Sequence, residues 1–218
     1  MDDAFGLYLV MTGPLVGYEA CAEAAVRCGV RYLQLRMKGA PRESVLETAL
    51  RVRGITRGSG TLFIVNDDVT VARDADADGV HLGQHDMPIG EARRLWPAPG
   101  KRFGLSTHNE REALLASRQA PDYIGVGPVF ATPTKAVPDP VLGPERMGEI
   151  IRSVPVPAVA LGGIDRGNLA EVLRRGARNF CVVRAVNLRP DPEAAIRELQ
   201  EIWRRASAKT AREAPGEA

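Results

Sequence analysis

The sequence predicts an α/β fold, a single (β/α)₈ (TIM) barrel, on three observations. Short apolar and β-branched runs recur at Gly6–Met11, Tyr32–Arg36, Leu62–Asn66, Gly79–Leu82, Arg102–Leu105, Tyr123–Val126, Ala158–Leu161 and Asn179–Val183, each followed by an amphipathic stretch rich in Ala, Leu, Glu and Arg. Spread over 218 residues, the eight runs repeat every ~27 residues, the length of a strand, a helix and two short loops. Several runs are almost wholly apolar, as expected of parallel strands covered on both faces. A doubly wound open sheet is the rival, but no G-x-G-x-x-G follows the first run.

The helical stretches carry plausible punctuation. Glu19–Cys28 stops at Gly29, and Pro41–Arg53 begins with proline near its first turn and stops at Gly54. Val69–Asp76 reads as a turn or two of helix. Asn109–Ser117 follows a Ser-Thr-His-Asn cap candidate. Leu142–Ser153 fills the sixth slot, and Asn168–Arg175 stops at Gly176. Pro192–Ala206 is the last long helix, with Ile196, Leu199 and Trp203 at helical spacing. The catalytic domain is read as residues 1–206. The polar tail 207–218 has no periodic apolar residues and is expected to be disordered.

Composition excludes several classes. Hydrophobic residues at 44% and charged residues at 26% are ordinary for a globular domain. A net charge of +2 with no basic block, and aromatics at 5%, argue against a nucleic-acid partner. No apolar run approaches the ~20 residues of a membrane span. Acids stand at Asp2 and Asp3, where a signal peptide would be basic, so a cytoplasmic protein is expected. Cys21, Cys28 and Cys181 form no C-x-x-C pair and are expected to be buried free thiols.

In such a barrel, functional groups gather where strands end and the following loops begin. The second run ends Gln34-Leu35-Arg36-Met37-Lys38, and period-2 alternation points Gln34, Arg36 and Lys38 into the mouth. Unpaired charge there conflicts with core packing and suggests an anion site, with a forked contact from Arg36 and a point charge from Lys38. The third run ends Asn66-Asp67-Asp68 and the fourth leads into Gly83-Gln84-His85-Asp86. Neighbouring strands lie about 4.8 Å apart, so Asp67 and Asp86 can share a hard cation such as Mg²⁺. With Arg36 and Lys38 alongside, a diphosphate bridged to that ion follows. His81 reads as a packed, hydrogen-bonded histidine rather than a ligand; His85 and His108 are weaker candidates. The fifth run exits through Ser106-Thr107. After the sixth, the Pro-rich stretch from Ala131 to Gly143 carries Thr132, Thr134 and Lys135 and reads as a lid over an anion. Gly162-Gly163 after the seventh run permits close backbone approach to a phosphate, to which Arg184 after the eighth adds charge.

The strings QLRMK, IVNDD, GVHLGQHD, STHN, GPVFATPTK, ALGGI and VVRAV, in this order from Leu7 to Trp203, resemble the thiamine phosphate synthase family. The resemblance implies a Mg²⁺-dependent transferase of thiamine biosynthesis. It joins hydroxymethylpyrimidine diphosphate to a thiazole phosphate, giving thiamine phosphate and pyrophosphate. It implies that Gln34, Arg36, Lys38, Asn66 and Lys135 contact the pyrimidine diphosphate, and that Ser106 sits at the pyrimidine end. Arg36, Lys38, Lys135 and Ser106 are the catalytic set. Asp67 and Asp86 bind the metal, and Thr132, Thr134, Gly163 and the Val183-Arg184 backbone hold the thiazole phosphate. The family is mostly cytoplasmic, and a homo-oligomer is compatible with it. Family members often carry serine where this chain has Arg184. The alternatives are a thiazole tautomerase of the same barrel type, for which His108 would be the proton shuttle, and a non-catalytic phosphate-binding regulator.

Overall fold

The computed structural model describes residues 4–134 and 139–213. Eight parallel strands close into a barrel in sequence order: β1 (Gly6–Met11), β2 (Tyr32–Leu35), β3 (Leu62–Asn66), β4 (Gly79–Leu82), β5 (Arg102–Thr107), β6 (Tyr123–Val126), β7 (Ala158–Ala160) and β8 (Asn179–Val182). The intervening helices are α1 (Tyr18–Arg27), α2 (Arg42–Thr56), α3 (Val69–Asp74), α4 (Ile89–Leu95), α5 (Glu110–Ser117), α6 (Gly143–Ser153), α7 (Leu169–Arg174) and α8 (Arg184–Asn187), followed by α9 (Pro192–Glu213).

Alternation along each strand builds two cores. On β1, Leu7, Leu9 and Met11 face outward into the layer between strands and helices. Tyr8 and Val10 face inward and pack with Tyr32, Ile64, Tyr123 and Val159 inside the barrel. Three of these are tyrosines in mutual ring contact, with centroids 5.3 Å apart for Tyr8–Tyr32, 5.5 Å for Tyr32–Tyr123 and 5.6 Å for Tyr8–Tyr123. The interior is therefore filled below and polar at one point above, where the Tyr8 and Tyr123 hydroxyls meet.

The N-terminal mouth is closed by side-chain clasps at the starts of the even strands. Asp78 accepts from the Phe63 N–H at 2.8 Å, Asp122 from the Phe103 N–H at 2.9 Å, and Asn179 from the Phe5 and Gly6 N–H groups at 2.7 and 3.1 Å. The Asn179 clasp ties the last strand to the first. The Trp203 ring of α9 covers that seam; a Cβ at Gly6 would lie 2.9 Å from it.

Several helix boundaries differ from expectation. Gly54 does not end α2, which continues to Thr56 because Thr48, Ala49, Val52 and Thr56 extend one buried face past it. The last helix continues past Ala206 to Glu213. The tail expected to be disordered is thus helical up to that residue, and 214–218 lie outside the described residues. The short helices α4 and α8 carry no strong periodic signal and are not anticipated. Asn109 caps α5, accepting from the Glu112 N–H at 2.9 Å while its own side-chain amide donates back to Glu112 at 2.7 Å. Among the thiols, Cys21 is buried, but Cys28 and Cys181 are only half-buried; all three are free.

Candidate active site

A cavity of about 1200 Å³ opens at the C-terminal mouth. Of the residues singled out in the sequence, Gln34, Arg36, Lys38, Asn66, Asp67, Asp86, Ser106, Thr132, Thr134, Gly163, Val183 and Arg184 all line it. Lys135 lies outside the described residues.

One wall is cationic and carboxylate-rich. β2 ends at Leu35, so Arg36 and Lys38 sit on the loop beyond it, while the Arg36 N–H still donates to Met11 O at 2.9 Å. The Arg36 side chain is half-buried, yet its guanidinium makes no hydrogen bond or ion pair with any described residue. Lys38 is paired with Asp67, a contact the sequence does not reveal. Asp67 has a left-handed backbone (φ 65°) and donates its N–H to His81 O at 2.8 Å. That conformation turns its carboxyl toward Asp86, whose own carboxylate accepts from the Gly83 N–H at 2.7 Å. Burial raises the Asp67 pKa above the usual carboxylate range; Lys38 opposes this and the adjacent Asp86 adds to it. Among the described residues no cluster of three or more His, Cys, Asp or Glu could enclose a metal ion. The pair is a two-carboxylate donor set, open to the cavity. Asp68 points elsewhere: it caps α3, accepting from the Thr70 and Val71 N–H groups.

The floor is a string of polar groups crossing the barrel. Gln34 Nε2 donates to the Tyr8 hydroxyl at 2.8 Å, Tyr8 and Tyr123 hydroxyls lie 2.8 Å apart, Tyr123 lies 3.2 Å from His81 Nδ1, and His81 Nε2 lies 2.8 Å from Ser106 Oγ. His81 is thus the packed, hydrogen-bonded residue its sequence context favours. Burial lowers its pKa to about 4, outweighing the nearby Asp86 charge, so the ring is neutral at physiological pH. Burial pushes both phenols up, so they stay protonated. Tyr8 and Tyr123 escape a sequence reading because tyrosine is at home in a β-run; the only available sign is their inward register, shared with Gln34 and Ser106.

The opposite wall is formed by the loops after β6, β7 and β8. Thr132 and Thr134 hydroxyls lie 3.0 Å apart. The loop after β6 lies main chain to main chain on the loop after β7: Val129 N–H donates to Leu161 O at 2.8 Å and Phe130 N–H to Gly162 O at 3.0 Å. A Cβ on Gly162 would come within 2.5 Å of Pro128, and one on Gly163 within 2.7 Å of Phe130. The glycines are therefore required by the stem of the loop after β6, whatever else they admit. Arg184 is exposed and opens the one-turn helix α8 rather than ending a strand. His108 also lines the cavity, but Glu112 lies 3.0 Å from its Nδ1 and Asp139 3.2 Å from its Nε2.

A (β/α)₈ barrel whose mouth presents a guanidinium unpaired among the described residues, a two-carboxylate pair and a hydroxyl-bearing loop is built to handle an anionic small molecule. A family model described as thiamine monophosphate synthase matches residues 7–186. The chain is 45% identical over 185 residues to a thiamine-phosphate synthase of Chloroflexus aurantiacus, covering 85% of each chain. It is 44% identical over 188 residues to one of Archaeoglobus fulgidus, covering 86% of this chain and 88% of that one. The structure of a thiamine phosphate pyrophosphorylase from Pyrococcus furiosus superposes with a TM-score of 0.85 at 36% identity, covering 93% of this chain and 96% of the other. The chain belongs to the thiamine monophosphate synthase family. It is an enzyme, a transferase with thiamine phosphate synthase activity. No described helix is long and apolar enough to cross a membrane.

Proposed function

We propose that the cavity binds hydroxymethylpyrimidine diphosphate and a thiazole phosphate together and transfers the pyrimidine methylene to the thiazole nitrogen. The observation that carries this reading is the half-buried Arg36 guanidinium, unpartnered among the described residues, beside the Asp67–Asp86 pair. A diphosphate supplies what that wall lacks: acceptor oxygens for a forked donor and negative charge for Lys38.

The donor set fits Mg²⁺. Two adjacent carboxylates, one with its pKa raised by burial and by the other, are relieved by a hard divalent cation. Fewer than three protein carboxylates suits an ion that keeps waters and takes substrate phosphate oxygens. Bound between Asp67 and Asp86, it would neutralise charge on the leaving group. Lys38 then exchanges its carboxylate partner for the diphosphate.

The bond between the methylene carbon and the diphosphate oxygen breaks, and pyrophosphate leaves with the electron pair. The aminopyrimidine ring delocalises the charge left on carbon, and the thiazole nitrogen lone pair forms the new bond. Arg36 and Lys38 stabilise negative charge as it develops on the departing oxygen, a role the family resemblance also gives Lys135. A neutral His81 puts no opposing positive charge under the developing cation. Gln34, Asn66 and Ser106 orient the pyrimidine. Thr132, Thr134, Gly163, Val183 and Arg184 receive the thiazole phosphate. The three free cysteines agree with a cytoplasmic setting.

Incubating the protein with both half-substrates and Mg²⁺ tests this. Pyrophosphate and thiamine phosphate should appear together. Release of neither, where an established synthase works, overturns the reading. A tautomerase would need His108 free to shuttle a proton, and both its ring nitrogens face carboxylates.

A further inference from the structure

We propose that Tyr8, Tyr123 and His81 are positioning residues: they form a one-way hydrogen-bond relay that sets Gln34 as an acceptor and Ser106 as a donor toward the pyrimidine, so that the site selects an amino over an oxo ring. This rests on the substrate reading above and adds the origin of its base selectivity.

The direction follows from counting protons. The Gln34 amide nitrogen donates to Tyr8 at 2.8 Å and has no lone pair to offer back. Tyr8 is 2% exposed, so its own hydroxyl proton needs an acceptor, and the one within reach is the Tyr123 oxygen at 2.8 Å. The Tyr123 proton then goes to His81 Nδ1 at 3.2 Å, which must carry a bare lone pair. A neutral imidazole with Nδ1 bare holds its proton on Nε2, and donates it to Ser106 Oγ at 2.8 Å. With the Gln34 amide in this orientation, the reverse run would leave the Tyr8 proton buried with no acceptor. The backbone makes room for the relay: a Cβ at Gly104 would lie 2.5 Å from the Tyr123 hydroxyl and 2.6 Å from His81 Nδ1.

Both ends of the relay are thereby fixed. Gln34 has one of its two amide N–H groups committed to Tyr8, which fixes the orientation of the amide, so Oε1 is left to accept beside the second N–H, and the two cannot exchange places without breaking that bond. Ser106 has an oxygen lone pair committed, so its proton is left to donate. No described residue uses either group. An aminopyrimidine offers the complement, an exocyclic N–H and a bare ring nitrogen. A 4-oxo analogue offers a carbonyl and a ring N–H instead.

Two measurements test this. In the ¹⁵N NMR spectrum of the unliganded protein, assigned with His81→Gln, the His81 ring should be the Nε2–H tautomer; the Nδ1–H tautomer overturns the relay whatever the enzyme binds. By calorimetry with Mg²⁺ and no thiazole phosphate, the wild type should bind the 4-amino diphosphate at least about a hundredfold more tightly than the 4-oxo diphosphate, since a site built to hydrogen-bond one group rejects its mismatch. Tyr123→Phe should narrow that ratio at least tenfold while leaving pyrophosphate affinity within about twofold. Tyr8→Phe should narrow it less, because Tyr123 keeps its bond to His81. A folded Tyr123→Phe variant with an unchanged ratio rejects the relay and leaves the synthase reading intact. Wild type that binds pyrophosphate but neither pyrimidine rejects both.

Discussion

At the N-terminal mouth Asp122 accepts from the Phe103 N–H and pairs with Arg102 at 2.8 Å, Asp78 pairs with Arg53 at 3.1 Å, and Lys101 reaches Asp76 at 2.9 Å. At the C-terminal mouth Arg36 has no described partner, Asp67 is pressed against Asp86, and Lys38 pairs with Asp67. The same residue types serve both ends. At one end each charge meets a fixed complement within the fold, and the geometry stabilises the closed barrel. At the other, like charges are gathered and a guanidinium is left wanting. Such an arrangement lowers stability and is retained where a ligand completes it.

Substitutions at the two mouths should therefore separate. Asp67→Asn should lower kcat by about 10²–10³-fold and raise the Mg²⁺ concentration for half-activity, with little loss of thermal stability. Arg36→Ala should cost a similar factor, and because its guanidinium is unpaired among the described residues, Tm should hold or rise. If either variant instead unfolds, the contrast between the mouths is wrong.

His81 gives the next largest effect. Its folded pKa of about 4 lies below the ordinary 6.5, so the unfolded chain binds the extra proton first. Stability is full above pH 6.5 and is lost as pH falls toward 4, by about 3 kcal/mol across that window. Denaturant midpoints against pH, for the wild type and His81→Gln, should show this slope and its loss in the variant.

Asp122→Ala removes an N–H acceptor and an ion-pair partner at the stable mouth. It should lower stability by about 1–3 kcal/mol with kcat within twofold of wild type. A large fall in kcat at equal folding would show that the lower clasps reach the chemistry. Arg184→Ser should have the smallest consequence, a few-fold change in KM for the thiazole phosphate. A selective change for the pyrimidine substrate would move Arg184 to the other half of the cavity.

Much of this was legible in the residues. β1, β3, β4 and β6 begin and end where the apolar runs do, because both faces of each strand are buried and hydropathy changes sharply at its ends. Gln34, Arg36 and Lys38 stood out since polar side chains in an inward register contradict packing. What stayed hidden depends on the third dimension. The Lys38–Asp67 pair joins two loops whose spacing no linear pattern states. Tyr8 and Tyr123 satisfy strand propensity, so their hydroxyls draw no attention until four strands meet. Gly54 reads as a helix stop, yet the buried face of α2 carries past it to Thr56. The glycine pair after β7 suggested a phosphate, whereas its first obligation is to the loop beside it.

That glycine contact reaches beyond the chemistry. Carbonyls and amides, not side chains, join the stem of the sixth loop to the seventh, and a Cβ on Gly127 would stand 2.0 Å from the Leu161 carbonyl oxygen. The two connections behave as a single leaf, so sequence drift or laboratory randomisation in one cannot be read independently of the other. The coupling reaches Ala131, whose carbonyl oxygen would stand 2.8 Å from a Cβ on Gly163, so a library aimed at new acceptor molecules has to vary the two loops together.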